Sequence, residues 1–365
     1  MCTGDETDGN VDQYAIAQVQ MICDTEAAKG SNIRVMPDVH PGKVGPIGLT
    51  MTVKDAVMPS LLGIDIGCGM SMVKIGKVRK DFQKLDSVIR ENVPVGFSVR
   101  KIPHSVAVDF NLADLICAEH IRYDKAMLSL GTLGGGNHFI EIDTDDEGEG
   151  YLIVHSGSRH LGKEVAEYYL DKGHKLIKKS GKDIPYELTY LTDEPLADYL
   201  HDVKVVQEYA ALNRRVIVSE LVKGMKWKNG EIIQCIHNYI DYRGEHQILR
   251  KGAISASMGE NVIIPINMRD GVILGKGLGN PNWNYSAPHG AGRIASREKV
   301  LSSHTVSEFK SSMKGIYSSC IGKGTLDEAP FAYRDVSYIT GAIAETVEIT
   351  KVLKPVYNYK GGSEK

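Results

Sequence analysis

Pro59-Ser60-Leu61-Leu62-Gly63-Ile64-Asp65-Ile66-Gly67-Cys68-Gly69-Met70 sets a carboxylate and a thiol three residues apart in a glycine-rich, otherwise apolar segment. Both groups ligate metals once deprotonated. Alternating apolar residues before it (Leu49, Met51, Val53) and an apolar group after it (Met72, Val73, Ile75) predict strands on either side. Asp65 and Cys68 are therefore expected in a loop between strands.

Outward from this loop, the pattern mixes helices and strands without regular βαβ units. Residues 12–29 predict a helix capped by Asp12, with Ile16, Val19 and Cys23 on one face and Gly30 ending it. A short apolar run at 33–36 enters an expected polar turn, Pro37-Asp38-Val39-His40-Pro41-Gly42. Helical periodicity recurs at 80–91, 160–178, 194–223, 291–302 and 336–350, and strand-length apolar runs at 232–236, 262–264 and 272–274, with an extended piece at 352–359. The acidic run 143–149 joins the apolar segments 138–142 and 151–155 and is expected as a solvated hairpin loop. No repeat, low-complexity segment or linker divides the chain. The expected fold is α+β: a single compact domain over residues 1–365, with mixed β-sheets flanked by helices.

An apolar fraction of 42% and a charged fraction of 24% are those of an ordinary globular protein. A formal net charge of −3 offers no overall attraction to nucleic acid, so any such site must be a local basic cleft. The acidic N-terminus lacks the basic and apolar regions of a signal peptide, and no apolar stretch is long enough to span a bilayer, so the expected location is cytoplasmic. Six scattered cysteines make no disulfide framework, and Cys2, Cys23, Cys117 and Cys320 read as free core thiols without chemistry.

Four histidines sit at or beside extended runs: His138 after three glycines, His155 in His155-Ser156-Gly157-Ser158-Arg159, His237 ending Cys235-Ile236-His237, and His289 in His289-Gly290-Ala291-Gly292-Arg293. Singly, each suits a hydrogen-bonded structural role. Together, Asp65, Cys68, His138, His155 and His237 form a hard–soft set suited to Mn²⁺, Zn²⁺, Fe²⁺ or Co²⁺, with a thiolate able to bridge two ions. Gly134-Gly135-Gly136 lets backbone N–H groups approach a phosphate, or simply makes a hairpin or helix-start turn, and Asn137 adds an amide donor. Arg159, Arg250, Lys251, Arg293, Arg297 and Lys360 supply cations of the kind a nucleoside triphosphate and an RNA end require, or are solvated surface charges.

Seven segments stand out between residues 36 and 361. They are Met36-Pro37-Asp38-Val39-His40, Gly63-Ile64-Asp65-Ile66-Gly67-Cys68-Gly69-Met70, Gly134-Gly135-Gly136-Asn137-His138-Phe139-Ile140-Glu141, the His155–Arg159 and His289–Arg293 stretches quoted above, Arg250-Lys251-Gly252-Ala253 and Tyr357-Asn358-Tyr359-Lys360-Gly361. Together they resemble the RtcB-type RNA ligases. The resemblance implies an RtcB-like fold with a central metal and nucleotide cleft. It implies a GTP- and Mn²⁺-dependent ligase that joins an RNA 3′-phosphate or 2′,3′-cyclic phosphate to a 5′-hydroxyl, in RNA repair or tRNA splicing.

Carried over residue by residue, the resemblance makes Asp65, Cys68, His138, His155 and His237 ligands of two Mn²⁺ ions and makes His289 the histidine that becomes guanylylated. Asn137, Arg159 and Arg293 take phosphate-contacting positions and Lys251 another basic position. Glu141, Tyr333 and Lys360 take guanine-pocket positions. The chain is shorter than typical members, which implies missing peripheral elements. Where many members carry Pro-Gly-Ser-Met-Gly, it reads Pro265-Ile266-Asn267-Met268-Arg269, so Asn267 would donate in place of the serine. With Trp283-Asn284-Tyr285-Ser286-Ala287-Pro288, these features resemble a compact branch of the family linked to a release-factor-like protein. The competing readings are a metal-dependent RNA-end phosphatase or cyclic phosphodiesterase, and an inactive RNA-binding module.

Overall fold

Runs of Val, Ile, Leu and Met become strands, and the order in which they pair determines where the polar residues at their ends meet. The computed structural model describes residues 11–228 and 230–361; Cys2 and the acidic N-terminus lie outside the described residues. In chain order the strands are β1 (Ile33–His40), β2 (Ile47–Thr52), β3 (Ala56–Val57), β4 (Gly69–Lys77), β5 (Phe139–Thr144), β6 (Glu149–Ser156), β7 (Leu191–Thr192), β8 (Ile232–Ile236), β9 (Asn238–Asp241), β10 (Ile248–Lys251), β11 (Ala253–Ser255), β12 (Asn261–Asn267), β13 (Gly271–Gly277), β14 (Ser286–Pro288) and β15 (Val347–Lys360). A seven-stranded sheet has the order β12-β13-β15-β5-β6-β4-β8, and a four-stranded sheet the order β1-β2-β10-β9. Strands β11 and β14 pair separately, as do β3 and β7. The fold is α+β, as expected.

The helices are α1 (Gln13–Cys23), α2 (Pro59–Leu62), α3 (Phe82–Asn92), α4 (Tyr123–Ser129), α5 (Arg159–Lys179), α6 (Asp193–Met225), α7 (Arg297–Ser303), α8 (Val306–Ser312) and α9 (Val336–Ala342). One face of the large sheet (Val73, Ile140, Ile142, Leu152, Val154) packs against Ile217, Val218 and Leu221 of α6 and Leu85 and Ile89 of α3. The opposite face (Met70, Met72, Phe139, Ile153) joins Ile254, Ile263, Ile273 and Ile339 in a second core. Burial on both faces explains why these strands read as apolar runs rather than strict alternation.

Several sequence expectations are corrected. Helix α1 ends at Cys23, and its buried residues are Ala15, Gln18 and Ile22 while Ile16 and Cys23 are exposed. The period was right and the phase wrong, because a polar residue takes a buried position: Gln18 donates to Gly42 O (2.7 Å) and accepts from Gly42 N (3.0 Å). Residues 37–40 are not a turn but the continuation of β1, which shifts register between Val35 and His40. Pro37 is tolerated there because β1 is an edge strand.

The acidic hairpin loop is shorter than expected, since β5 runs to Thr144 and Asp143 is fully buried. The helix expected at 291–302 begins only at Arg297, capped by Ser296, whose Oγ accepts from Lys299 N. The helix expected at 336–350 stops at Ala342; the β-branched Val347, Ile349, Thr350 and Val352 belong to β15, paired with β13. Cys117 is buried as expected, whereas Cys320 is half-buried and Cys23 lies at the surface.

Candidate active site

Because neighbouring strands run antiparallel, β5 begins where β6 ends, and β4 begins where β8 ends, all at one end of the large sheet. His138 immediately precedes β5, Cys68 immediately precedes β4, His155 is the penultimate residue of β6, and His237 immediately follows β8. Lys360 closes β15 opposite Phe139 at the same end. His237 is also the joint at which the chain passes from the large sheet into β9 of the four-stranded one.

Cys68 Sγ stands 3.4 Å from His138 Nε2 and 3.3 Å from His155 Nε2, and His155 Nε2 is 3.2 Å from His237 Nε2. Asp65 Oδ2 lies 3.5 Å from His138 Nε2. These atoms form two sets, Asp65-Cys68-His138 and Cys68-His155-His237, each within 4.8 Å of one another and sharing Cys68. All five residues proposed from sequence as ligands thus belong to one cluster.

His138 Nδ1 is 2.9 Å from Leu133 O and His155 Nδ1 is 3.1 Å from Asn137 O. A ring N–H donated to each carbonyl leaves the Nε2 lone pairs turned toward Cys68. Burial and the neighbouring imidazoles hold His155 and His237 well below the usual histidine range, so both are neutral, the form that ligates. Burial, and then the charge of Asp65, push the Cys68 thiol well above its ordinary value. A bound cation reverses that preference, because a coordinating thiol is deprotonated outright. Burial works against ionisation of Asp65, but His138, Cys68 and Arg159 together hold it well below the usual carboxylate range. Five ligand-type side chains crowded together, with few hydrogens to share among them, fit a cation, and the mixed O, N and S set suits a transition metal.

The loop carrying Asp65 and Cys68 is fixed by close backbone approach. Gly67 has φ 75°, and a Cβ there would stand 2.7 Å from Ala210 Cβ of α6. A Cβ on Gly157 would meet Asp65 Oδ1 at 2.2 Å. Arg214, fully buried on α6, donates from Nη1 to Gly67 O (2.7 Å) and Ser156 O (2.9 Å) and from Nη2 to Gln234 Oε1 (2.9 Å), tying the loop to β6 and β8. Sequence reasoning missed Arg214. Its signal was a charge on the buried stripe of α6, between Ala210 and Ile217.

His289 stands beside the cluster, its ring centroid 5.0 Å from that of His237. Its Nδ1 is 2.7 Å from Asp38 Oδ2, and the same oxygen accepts from the His289 backbone N–H at 3.2 Å. Asp38 is fully buried. A carboxylate so placed keeps the proton on Nδ1 and leaves Nε2 as a free lone pair. Asp38 was quoted in a motif but given no role from sequence.

A cavity of about 1390 Å³ is lined by His289 together with Asn137, Glu141, Asn267, Arg293, Tyr333 and Lys360, and His155 and His237 also line it. A second, of about 370 Å³, shares His289, His237 and Asn137 with it and is lined further by Asp65 and Lys251. In the larger one, Lys360 Nζ and the Tyr333 hydroxyl both donate to Glu328 Oε2, at 2.8 and 2.7 Å, and Arg293 lies 5.3 Å over the Tyr333 ring. Burial alone would raise the Glu328 pKa, but Lys360, Arg297 and Tyr333 bring it down to about 2. Glu328 is a second residue the sequence did not flag. Glu141 accepts from Asn358 Nδ2.

The remaining residues proposed from sequence divide by what engages them. Arg159, at the start of α5 with φ 58°, reaches Thr132 Oγ1 (3.3 Å) and Gly96 O (3.4 Å), and its Nη1 is 3.2 Å from His138 Nδ1. Lys251 is buried, donates to Leu61 O at 2.9 Å, and is pushed down to about 8 by burial. The Asn267 amide is engaged in its own turn, with Nδ2 donating to Asp270 (2.8 Å) and Oδ1 accepting from the N–H groups of Arg269 and Asp270. Arg250 is corrected from a phosphate-binding cation to an internal brace: it is fully buried on Asp241 (2.6 Å), Tyr239 and Ser286. Arg297 is paired with Asp327 and Glu328.

The family model described as tRNA-splicing ligase RtcB matches residues 18–118 and 108–361. The chain belongs to the RtcB family. It is 31% identical to an RNA-splicing ligase RtcB of Escherichia coli strain K12, covering 90% of each chain. It is 27% identical to a tRNA-splicing ligase RtcB of Aeropyrum pernix, covering 90% of this chain and 87% of the relative. Most of the length of these RtcB proteins therefore has a counterpart here, and the family match includes all five residues of the cluster and His289. Among the described residues, no helix is long and apolar enough to cross a membrane.

Proposed function

We propose that this protein is an RNA ligase that joins an RNA 3′-phosphate, or a 2′,3′-cyclic phosphate after its opening by water, to a 5′-hydroxyl with consumption of GTP. The observation that carries the reading is the position of His289, whose Nδ1 is held by Asp38 and whose ring stands 5.0 Å from that of His237 and lines a nucleotide-sized cavity. Residues 1–365 are taken as one catalytic domain. A cytoplasmic setting, which keeps Cys68 reduced, belongs to the proposal, as does a role in RNA repair or tRNA splicing with a functional link to a release-factor-like protein.

Asp65, Cys68, His138, His155 and His237 would hold two divalent cations, Mn²⁺ by the family reading, with Cys68 shared. Such ions, when bound, polarise phosphoryl oxygens as Lewis acids. His289 Nε2 attacks the α-phosphorus of GTP, forming a P–N bond and expelling pyrophosphate, while Asp38 steadies the Nδ1–H and the positive charge that develops on the ring. An oxygen of the RNA 3′-phosphate then displaces His289 from phosphorus, giving an RNA 3′-pp-G end and regenerating the imidazole. The 5′-hydroxyl attacks the RNA phosphorus of that anhydride and GMP leaves. Asn137, Arg159, Lys251 and Arg293 hold phosphate oxygens through these steps. Glu141 accepts from the guanine N1–H and amino group, Lys360 donates to O6, and Tyr333 walls the pocket. Asn267 lies at its rim.

The test is a sealing assay with an RNA ending in a 3′-phosphate and another beginning with a 5′-hydroxyl. Joined product that requires both GTP and Mn²⁺ is expected. Loss of the 3′-phosphate without joining would instead favour an RNA-end phosphatase, and binding without reaction an inactive RNA-binding module.

Two further outcomes follow. Asp38→Asn leaves the side-chain shape but favours the wrong His289 tautomer, so the rate of guanylylation from GTP is expected to fall by about 10³- to 10⁴-fold. A single-turnover rate within a few-fold of wild type would remove Asp38 from that role. Glu141→Ala is expected to lose preference for GTP over ATP by about tenfold or more, read by competition between the two nucleotides; an unchanged ratio would exclude Glu141 from base recognition.

A further inference from the structure

Glu141 and Asp143 are two residues apart on β5, so the pleat turns both carboxyls to the same face of the sheet, and both are buried. Glu141 Oε2 accepts from Asn358, its cross-strand partner on β15. Asp143 has no comparable support. Its cross-strand neighbours are Pro355, which has no N–H, and Tyr151, whose hydroxyl donates to Asp145. No N–H or O–H group donates to either oxygen of Asp143.

Lys360 lies nearby but is engaged with Glu328 at 2.8 Å, and Lys354 next to Pro355 is exposed. The two carboxyls are within hydrogen-bonding reach of each other, yet as two carboxylates neither could donate. A buried pair of this kind keeps one proton between its members.

We propose that Asp143 holds that proton and donates it to Glu141, a positioning role that keeps Glu141 ionised and thereby selects guanine. This rests on the reading of Glu141 as the acceptor for the guanine edge. The location of the proton decides the base. With the proton on Asp143, Glu141 is acceptor-only and matches the N1–H and amino group of guanine. With the proton on Glu141, the pocket presents a donor that suits the unprotonated N1 of adenine. Burial, and then the charge of Glu141, push Asp143 well above the usual carboxylate range. Burial also lifts Glu141, to about 7, while Asn358, Asp143 and Lys360 draw it back down.

The experiment compares full-length wild type, Asp143→Asn and Asp143→Ala, with melting curves to establish folding. Calorimetric binding of GTP and ATP gives the base preference. Asparagine keeps an N–H donor toward Glu141, so its preference is expected within about threefold of wild type, whereas alanine is expected to lose about tenfold or more. Infrared difference spectra give the proton directly: a protonated-carboxyl C=O band in wild type that Asp143→Asn lacks. A folded Asp143→Ala with wild-type preference, or a band that persists in Asp143→Asn, overturns the proposal. If wild type itself shows no preference for GTP, the reading of Glu141 and the guanine selection built on it fail together, whereas a wild-type preference combined with a persistent band defeats the assignment of Asp143 alone.

Discussion

Replacing Cys68 with alanine is expected to strip the protein of metal and to abolish RNA joining in the same step. Cys68 Sγ lies within 3.4 Å of two imidazole nitrogens and is the one atom common to both ligand sets. A methyl group has no lone pair, so neither set can close, and the Asp65 carboxylate alone is left to balance the charge of bound cations. Changes one layer out from a metal typically cost 10- to 100-fold in affinity, so loss of a shared ligand should cost at least about 100-fold. Elemental analysis after dialysis against Mn²⁺ is the check, with Cys68→Ser as a variant that restores an oxygen donor and part of the affinity. Wild-type stoichiometry in Cys68→Ala would contradict the shared-thiolate arrangement.

Removing the nucleophile should give a different profile. His289→Ala is expected to retain metal, because His289 lies outside both ligand sets, and to lose GTP-dependent joining by about 10⁴-fold or more, as covalent catalysts do when the attacking group is deleted. The nucleophile serves only to activate the RNA end, so the variant should still seal an RNA supplied with its 3′-pp-G end already made. Sealing of a plain 3′-phosphate end by His289→Ala at the wild-type rate would refute the role.

The long amphipathic helices and the strand runs were legible from sequence because both faces of the large sheet and one stripe of α6 are buried, which gives strong periodicity. Three failures fell where a polar residue took an interior position: Gln18 rotated the face of α1, Asp38 lies buried in strand where a loop was expected, and Asp143 disappeared into a sheet although its neighbours suggested solvent. The two shortened helices failed for another reason, a cap at Ser296 and the β-branched residues that pair β15 with β13.

The ligand-type residues were legible because their side-chain chemistry is unusual and the glycines around them are dense. Their supports were not, because they come from distant parts of the chain. Asp38 reaches His289 across 251 residues, Arg214 reaches Gly67 across 147, and Lys360 reaches Glu328 across 32. Local spacing carries no trace of such pairs. A family resemblance supplied the candidate ligand and nucleotide positions and left Asp38, Arg214, Glu328 and Asp143 to be found in the folded chain.

The central claim is a covalent guanylyl group on one imidazole. The protein is incubated with Mn²⁺ and GTP labelled at the α-phosphorus, denatured, and resolved on a gel, and the modified peptide is mapped. The account predicts label that is acid-labile, as a phosphoramidate is, located on His289, and absent when the label is on the γ-phosphorus. An unlabelled wild type, or equal labelling of His289→Ala, would contradict it.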